Sequence, residues 1–207
     1  MFRIDLSVPF ADKNAARMLG ARWDSLRRVW FVPSDRDATP FARWLPASSA
    51  VNVRASSYFV ATSALACHRC GGMSKVHGFA LPPGHETSAV DEETGEVLWE
   101  TSDEPTFVCY LEYVNLPAIE GMRQRTGNYR LTPRRRTRSY YWANFCEHCG
   151  SKFGDYDVFC EPGQGFMPLT GEDAARIGLA RFEASFTAAA GGWSLGVELF
   201  EYMTEAR

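Results

Sequence analysis

Apolar and polar residues alternate with different periods along the chain, and these periods predict its elements. Within the first part, residues 4–8 alternate as a short strand does, and Pro9 ends the pattern. Residues 12–20 have the spacing of a helix that a glycine stops. Two tryptophan-containing strands follow at 22–23 and 29–32, and a proline-led helix is expected at 39–45. The order predicted for this part is β-α-β-β-α.

Beyond a small-residue segment at 47–50, the pattern changes to short alternating apolar runs, which predict an antiparallel sheet. The run at 106–114 has the highest β-propensity. Alanine and phenylalanine recur at helical spacing after Gly171, so we expect helices over 170–207. The predicted fold class is α+β, with a tryptophan-rich unit at 1–46 and a second domain at 51–207.

Composition limits the partners of the protein. The chain has 207 residues and a net charge of −3, which argues against general coating of nucleic acid or membrane. Any basic surface must therefore be local. The N-terminus lacks the basic-then-apolar pattern of a signal peptide, and no apolar run has the ~20 residues of a membrane helix. We expect a cytoplasmic protein with reduced thiols and no membrane contact.

Two C-x-x-C-G motifs are the strongest chemical signal. Each places two thiols on a tight turn and follows them with a glycine, which accepts the positive φ of such turns. Reduced thiols at this spacing predict metal binding. Four thiolates complete a tetrahedral Zn²⁺ site and leave no position for water, so one structural zinc ion is expected. The predicted ligands are Cys67, Cys70, Cys146 and Cys149. His77, His85 and Cys160 are reserve candidates, and Cys109 is expected to be a buried thiol.

Opposite charges are concentrated in two segments between the motifs. Residues 85–104 contain acids and no lysine or arginine, whereas residues 123–138 contain arginines and no acid. Arginine next to aromatic rings suits phosphate contact and base stacking. Three interpretations remain open: nucleic-acid contact, a protein partner, or mutual neutralisation of the two segments. The candidate binding residues are Arg123, Arg125, Arg130, Arg134, Arg135, Arg136, Arg138, Tyr140 and Trp142.

The N-terminal unit resembles a small domain of unknown function found in plasmid-borne primases and other mobile-element proteins. The resemblance rests on the runs at 8–10, 19–24 (Leu-Gly-Ala-Arg-Trp-Asp) and 29–33 (Val-Trp-Phe-Val-Pro), and it covers residues 3–46. It implies a mobile-element setting and supplies no catalytic residues. The aromatic residues of the unit form either a compact core or a surface suited to stacking and phosphate contact. That surface would be flanked by Arg22, Arg27, Arg28 and Arg43.

A second resemblance concerns the second motif. Tyr141-Trp142, the run at 146–150 and the run at 159–163 resemble a family of uncharacterised bacterial zinc-ribbon proteins, which implies the fold and the metal only. A compact ribbon would not contain the long insertion at 71–145 that separates the two motifs.

Function is constrained mainly by exclusion. The sequence contains no phosphate-binding glycine loop, serine-hydrolase elbow, zinc-protease helix or deaminase motif, which disfavours an enzyme. We expect a non-enzymatic zinc protein that contacts DNA or RNA as a module of a bacterial mobile element. One alternative is a counter-defence inhibitor, of the antirestriction or anti-CRISPR type, that binds a host protein. A second alternative is an enzyme whose site carries no motif. Oligomeric state is left open.

Overall fold

The computed structural model describes residues 3–33, 36–46, 51–91, 93–134, 139–194 and 198–205. The fold is α+β, and strands predominate over helices. No helix in these ranges is long and apolar enough to cross a membrane. The predicted linker at 47–50 lies outside the described residues.

The N-terminal unit is a three-stranded antiparallel sheet with helical segments packed on it. The sheet order is β1-β3-β2, and Ile4, Val32, Phe41 and Trp44 are buried in its core. Alternation places Ile4 and Val32 on the same face, since they are direct partners across β1 and β3. The elements are β1 (Arg3–Leu6), a 3₁₀ helix (Phe10–Asp12), α1 (Lys13–Met18), β2 (Arg22–Asp24), β3 (Val29–Pro33) and a 3₁₀ helix (Thr39–Trp44).

The rest of the described chain forms three further sheets. Their orders are β10-β14-β4-β7-β8, β15-β9-β6-β5-β13-β16 and β11-β12. The strands are β4 (Val53–Ala55), β5 (Tyr58–Ala66), β6 (Met73–Leu81), β7 (His85–Val90), β8 (Val97–Ser102), β9 (Thr106–Cys109), β10 (Tyr113–Val114), β11 (Tyr129–Arg134), β12 (Ser139–Asn144), β13 (Gly178–Phe182), β14 (Phe186–Ala189), β15 (Gly192–Trp193) and β16 (Thr204–Glu205). The helices are α2 (Leu116–Arg125), α3 (Asp155–Phe159), α4 (Gly171–Ala174) and a 3₁₀ turn (Phe200–Tyr202).

The six-stranded sheet is buried on both faces. Along β5, Tyr58 and Val60 belong to one buried cluster, and Phe59 and Ala61 belong to another. Because side chains alternate across a strand, each cluster packs on its own face. The first cluster also contains Phe41 and the other core residues of the N-terminal unit. The two predicted domains therefore share one continuous core among the described residues.

The strand predicted over 106–114 is interrupted at Tyr110. This residue has a φ of 53°, in the left-handed region that is uncommon for residues other than glycine. Before it, β9 pairs in the six-stranded sheet, and after it β10 pairs in the five-stranded sheet. The chain passes between the same two sheets a second time, from β14 to β15. At that point Gly191 lies against Tyr110 and donates its N–H to the Cys109 carbonyl at 3.2 Å. The interruption lets one apolar run serve two sheets.

The helices predicted over 170–207 are wrong except for two short segments, α4 and the 3₁₀ turn at Phe200–Tyr202. Thr170 caps α4, since the Asp173 N–H donates to its hydroxyl at 3.2 Å, but strands follow. β13 pairs with β5, and β14 pairs with β4. Phe186 and Ala188, two residues apart, are both fully buried. Alanine favours helix, but pairing with β5 and β4 and the burial of alternate side chains outweigh that local preference.

The long insertion predicted at 71–145 is part of the core. Val76, Phe79 and Leu81 on β6 and Val108 on β9 are fully buried in the six-stranded sheet. Their apolar side chains fill the centre of the molecule. The two cysteine motifs are therefore joined through the main sheet, and the intervening segment does not project from a compact ribbon.

Candidate metal centre and basic face

The two cysteine motifs form turns with matching backbone hydrogen bonds. In the first turn, between β5 and β6, the Gly71 N–H donates to the Cys67 carbonyl at 2.8 Å. In the second, after β12, the Gly150 N–H donates to the Cys146 carbonyl at 3.0 Å. Both glycines have positive φ, 70° and 67°. A side chain there would strain the turn, which is the reason for the C-x-x-C-G sequence.

The turns bring four sulfurs together. The Cys67 and Cys149 Sγ atoms are 3.7 Å apart, and the Cys70 and Cys146 Sγ atoms are 3.8 Å apart. All four ligand atoms lie within 4.8 Å of one another. A tetrahedral ion with metal–sulfur bonds of about 2.3 Å requires sulfurs about 3.8 Å apart. The four cysteines therefore fit a metal ion, and Cys67 and Cys146 are buried while Cys70 and Cys149 are exposed.

Hydrogen bonds outside the sulfurs hold the two turns in register. The Asn144 side chain accepts from the His77 N–H at 2.7 Å and donates to the His77 carbonyl at 2.8 Å. Glu147 accepts from the Lys75 N–H at 3.0 Å, and the His148 ring contacts the Met73 carbonyl at 2.7 Å. β6 and the second turn are therefore joined by polar contacts that do not depend on the ion.

The same turns favour thiolate. The Cys149 and His148 N–H groups lower the pKa of the Cys146 thiol to about 6, and the Cys70 and Arg69 N–H groups also lower the pKa of Cys67. For Cys149, the Ser151 N–H lowers the pKa, but burial and the neighbouring cysteines raise it to about 11. Crowded thiols resist full ionisation, and a cation among them would remove that repulsion.

The β11–β12 hairpin leads into the second turn and carries cations on one face. Its register pairs Arg130 with Ala143 and Arg134 with Ser139, so these side chains share the face opposite to Leu131 and Trp142. Arg130 lies over the Phe145 ring at 4.1 Å, and Arg134 lies over the Tyr141 ring at 4.6 Å. Lys152, which follows the second turn, lies over the same Tyr141 ring at 4.9 Å. We call Arg130, Arg134 and Lys152 the basic face.

Few acidic groups oppose the basic face. Arg134 has one ion-pair partner, Glu112, at a loose 3.8 Å. Within the described ranges, Arg130 and Lys152 have no ion-pair partner, and the Arg130 Nε is buried without a hydrogen bond. Asp155 lies beneath the basic face and is only 5% exposed. Its carboxylate accepts a hydrogen bond from the Tyr110 N–H at 2.7 Å. Burial raises its pKa to about 6, while that amide, Arg134 and Lys152 oppose the rise.

The structure separates the predicted binding residues into groups. Trp142 is 1% exposed and stacks on Tyr129, so its ring is inaccessible and its prediction as a binding residue is wrong. Tyr140 lies on the same side of the hairpin and packs against the core. Arg123 donates to the Thr39 carbonyl of the N-terminal unit, and Arg125 is exposed on α2. The predicted binding residues Arg135, Arg136 and Arg138 lie outside the described residues.

Lys152 was missed by the sequence reasoning. It lies two residues beyond the second motif and pairs with Phe145 through an isolated bridge. The chain after the second turn returns antiparallel to the strand that enters it, so a cation soon after the second C-x-x-C-G can share a face with cations before it. That relation was available from the sequence.

The acidic segment forms most of the β7–β8 hairpin. Glu86 pairs with Arg54 at 2.6 Å, and Glu93, Glu96 and Glu100 are exposed. Across the residues that the structure describes, no ion pair joins residues 85–104 to residues 123–134. Mutual neutralisation of the two segments therefore has no support in this part of the chain; Glu92 is not among the described residues.

The reserve ligands have other contacts. The His77 ring contacts the Thr62 hydroxyl at 3.1 Å, and the His85 ring contacts the Pro82 carbonyl at 2.9 Å. Cys160 is not among the four clustered cysteines. Cys109 is a buried thiol, as expected, and burial raises its pKa to about 12. At neutral pH this thiol stays protonated, which makes it a poor nucleophile.

Comparison with known proteins concerns the N-terminal unit. Residues 3–46 match the family model described as "Domain of unknown function (DUF5710)". These residues form a DUF5710 domain. The resemblance predicted for this unit is thereby confirmed, whereas the match does not reach the cysteine motifs, so the zinc-ribbon resemblance stays a prediction.

Two curated relatives share similarity with this chain, and both are named DNA primase TraC from Escherichia coli. One is 46% identical over 57 residues, which is 27% of this chain and 5% of the relative. The other is 40% identical over 52 residues, 25% of this chain and 4% of the relative. The chain thus spans about one-twentieth of the length of the curated relatives it matches. No solved structure matches the chain.

Proposed function

We propose that the protein is a non-enzymatic, zinc-stabilised module that binds nucleic acid through its basic face. The observation that carries this proposal is the placement of three cations over aromatic rings on one face: Arg130 and Arg134 on the β11–β12 hairpin, and Lys152 after the turn that follows it. Cations fixed over rings are ordered before binding, so phosphate contact costs less side-chain entropy. The similarity to proteins named as DNA primases supports a nucleic-acid role within a mobile element.

The ion we propose is a single Zn²⁺. Four thiol ligands in a closed tetrahedron favour zinc over the oxygen-preferring cations, and they leave no open position for a reacting water. The role of the ion in this proposal is structural: it holds β6 against the turn that follows β12. The hairpin that carries the basic face would thereby be fixed to the main sheet.

Charge-neutralising substitutions test the proposal. The triple variant Arg130→Gln, Arg134→Gln, Lys152→Gln should bind a fluorescein-labelled DNA duplex more weakly in an anisotropy titration. For B-form DNA, the slope of log affinity against log salt should fall by about 0.9 for each phosphate that the variant no longer neutralises. A matched control is Arg54→Gln, Arg176→Gln, Arg181→Gln, which removes the same charge from arginines that already have acidic partners. Equal affinity and slope for the two triple variants would reject the basic face as the binding site.

A second candidate function is inhibition of a host protein with a basic surface. The β7–β8 hairpin favours it, because β8 is the edge of its sheet and its acids lie beside exposed Val90, Val97 and Leu98. Such a mixed acidic and apolar edge suits a protein partner. Affinity capture with the wild type and with a Glu96→Lys, Glu100→Lys variant distinguishes the two. This candidate function predicts that the wild-type protein captures a host defence protein and that the charge-reversed variant does not.

A further inference from the structure

A groove on the N-terminal unit is separate from the basic face. It has a volume of about 530 Å³ and opens beside the β2–β3 turn. Its lining combines aliphatic, aromatic and cationic side chains and, within the described ranges, no carboxylate. The lining residues are Leu6, Val8, Phe10, Lys13, Trp23, Arg28, Val29 and Trp30.

The side chains that line the groove become more exposed from β1 across β3 to β2. Leu6, Trp30 and Trp23 lie side by side across the three strands, because the register pairs Leu6 with Trp30 and Trp30 with Trp23. Leu6 is buried, Trp30 is half-buried and Trp23 is 50% exposed. Phe10, across the groove, is 82% exposed. Rings of this size in an open groove indicate a surface that contacts a ligand.

The charge of the groove is positive. The Lys13 ammonium lies 3.8 Å from the Phe10 ring centroid, and Arg28 also lines the groove. The nearby acids have other partners, since Asp24 pairs with Arg3 at 2.6 Å and Asp12 accepts from the Trp44 indole at 2.8 Å. In the ranges that the structure describes, neither Lys13 nor Arg28 forms an ion pair. An anionic ligand would therefore meet two unneutralised cations.

Arg28 occupies a backbone position that suits glycine better. Its φ is 53°, at the last residue of the loop between β2 and β3. A residue with a Cβ in this conformation is strained relative to glycine. A cation at such a position suggests a use for its side chain, since strained residues cluster at ligand sites.

We infer that this groove binds single-stranded nucleic acid. Unpaired bases stack on Trp23 and Phe10, and the ammonium of Lys13 and the guanidinium of Arg28 contact the backbone phosphates. A duplex cannot use the groove in this way, because its bases are already stacked on one another. An apolar peptide would fill the aromatic surface but leave both cations unpaired. The inference does not require the basic face to bind nucleic acid.

Removal of one ring tests the stacking. Trp23→Ala should bind a fluorescein-labelled oligothymidylate about tenfold more weakly than the wild type, the equivalent of losing about one base stack. Its affinity for a DNA duplex should not change. The matched control is Trp99→Ala, which removes a tryptophan ring that lies under Arg54 on the acidic hairpin. This control should bind oligothymidylate as the wild type does.

A second variant separates binding from folding. Arg28→Gly relieves the positive φ, so its melting temperature should equal or exceed that of the wild type. Its affinity for oligothymidylate should nevertheless fall, and the slope of log affinity against log salt should decrease by about 0.7, the value for one phosphate contact on a single strand.

Three outcomes would overturn the inference. The first is wild-type affinity of Trp23→Ala for oligothymidylate, and the second is an equal loss with Trp99→Ala. The third is quenching of tryptophan fluorescence by a proline-rich peptide with none by oligothymidylate, which would assign the groove to a peptide. A different result would contradict the proposed function alone. In that result the triple variant of the basic face binds duplex DNA as the wild type does, while Trp23→Ala binds oligothymidylate more weakly.

Discussion

Two hairpins of opposite charge show how differently one chain can support exposed side chains. β7–β8 and β11–β12 each contain six cross-strand pairs. The acidic hairpin β7–β8 joins its sheet through two residue pairs with β4. The basic hairpin β11–β12 buries Leu131 and Trp142 in the core and continues directly into the four-cysteine cluster.

The difference concerns rigidity. Glu100 projects from the edge strand β8 and is exposed, whereas the cations of the basic face rest on rings that are themselves packed. The net charge of −3 does not show this distinction, because the negative charges of residues 85–104 and the positive charges of residues 123–138 nearly cancel. A charged segment is suited to specific recognition when its side chains are ordered before the ligand arrives. On this criterion the basic hairpin is the stronger candidate for specific recognition of a ligand.

The largest expected effect comes from breaking the cysteine cluster. Cys146→Ser should lose about one bound metal ion per chain and at least about 4 kcal/mol of unfolding free energy, because metal binding contributes to folding. Mass spectrometry measures the metal content, and thermal unfolding measures the loss of stability. Hydrogen exchange should accelerate in β11–β12 and stay unchanged in β7–β8.

The control for this experiment is Cys160→Ser, a half-buried cysteine outside the cluster. It should keep the metal and most of the stability. Full metal content in Cys146→Ser would contradict the four-cysteine assignment.

Removal of the Asn144 side chain should cause the second-largest loss of unfolding free energy. Asn144→Ala leaves both backbone groups of His77 without partners in a buried site, at a cost of about 2–4 kcal/mol. Urea unfolding measures it. Asn52 provides a comparison near the acidic hairpin, since it makes the same pair of bonds with Ala190 in a less buried place. A larger loss for Asn52→Ala would reverse the ranking of the two hairpins.

The carboxyl beneath the basic face predicts a pH effect. Burial raises the folded-state pKa of Asp155 to about 6 from an ordinary value of 3.8. The folded protein then binds the proton more tightly, so between these values stability falls as pH rises. Asp155→Asn carries no charge and keeps an oxygen for the Tyr110 N–H.

The unfolding free energy of Asp155→Asn relative to the wild type should therefore increase by up to about 3 kcal/mol from about pH 4 to about pH 7. Taking the difference between the two proteins removes the contributions of other groups, including His77, whose pKa burial lowers to about 4. A difference that does not change with pH would mean that folding does not shift the pKa of Asp155.

The smallest effect is expected on the acidic hairpin. Glu86→Gln removes the ion pair with Arg54, and water and salt screen this exposed pair, so the variant should be as stable as the wild type within the error of the measurement. Chemical denaturation at low and high salt measures it. A clear loss of stability that disappears at high salt would show that this hairpin too depends on a fixed charge.

Local patterns were sufficient for some features of the fold and the site. The C-x-x-C-G spacing identified Cys67, Cys70, Cys146 and Cys149, because the thiols of each turn must lie near one another whatever the rest of the chain does. The strands around Trp23 and Trp30 followed from alternation over a few residues.

Long-range pairing decided what those patterns could not. The alanine-rich segment after residue 177 became strands because β5 and β4 were available as partners, and no local window contains those partners. Trp142 was assigned to a binding surface from its arginine neighbours in sequence, yet its position opposite Leu131 directs it to the core. Charge in sequence does not specify a face; strand register does.

Taken alone, the sequence determined the ligand chemistry of the four-cysteine cluster and the identity of the N-terminal unit, since both depend on short runs of closely spaced residues. Only the tertiary structure decided which cations share a surface. Arg130, Arg134 and Lys152 come together because β12 and the second cysteine turn bring residues from both sides of the motif onto one face. The physical reason is that covalent spacing fixes short-range geometry, whereas the exposure of a side chain depends on which distant residues cover it.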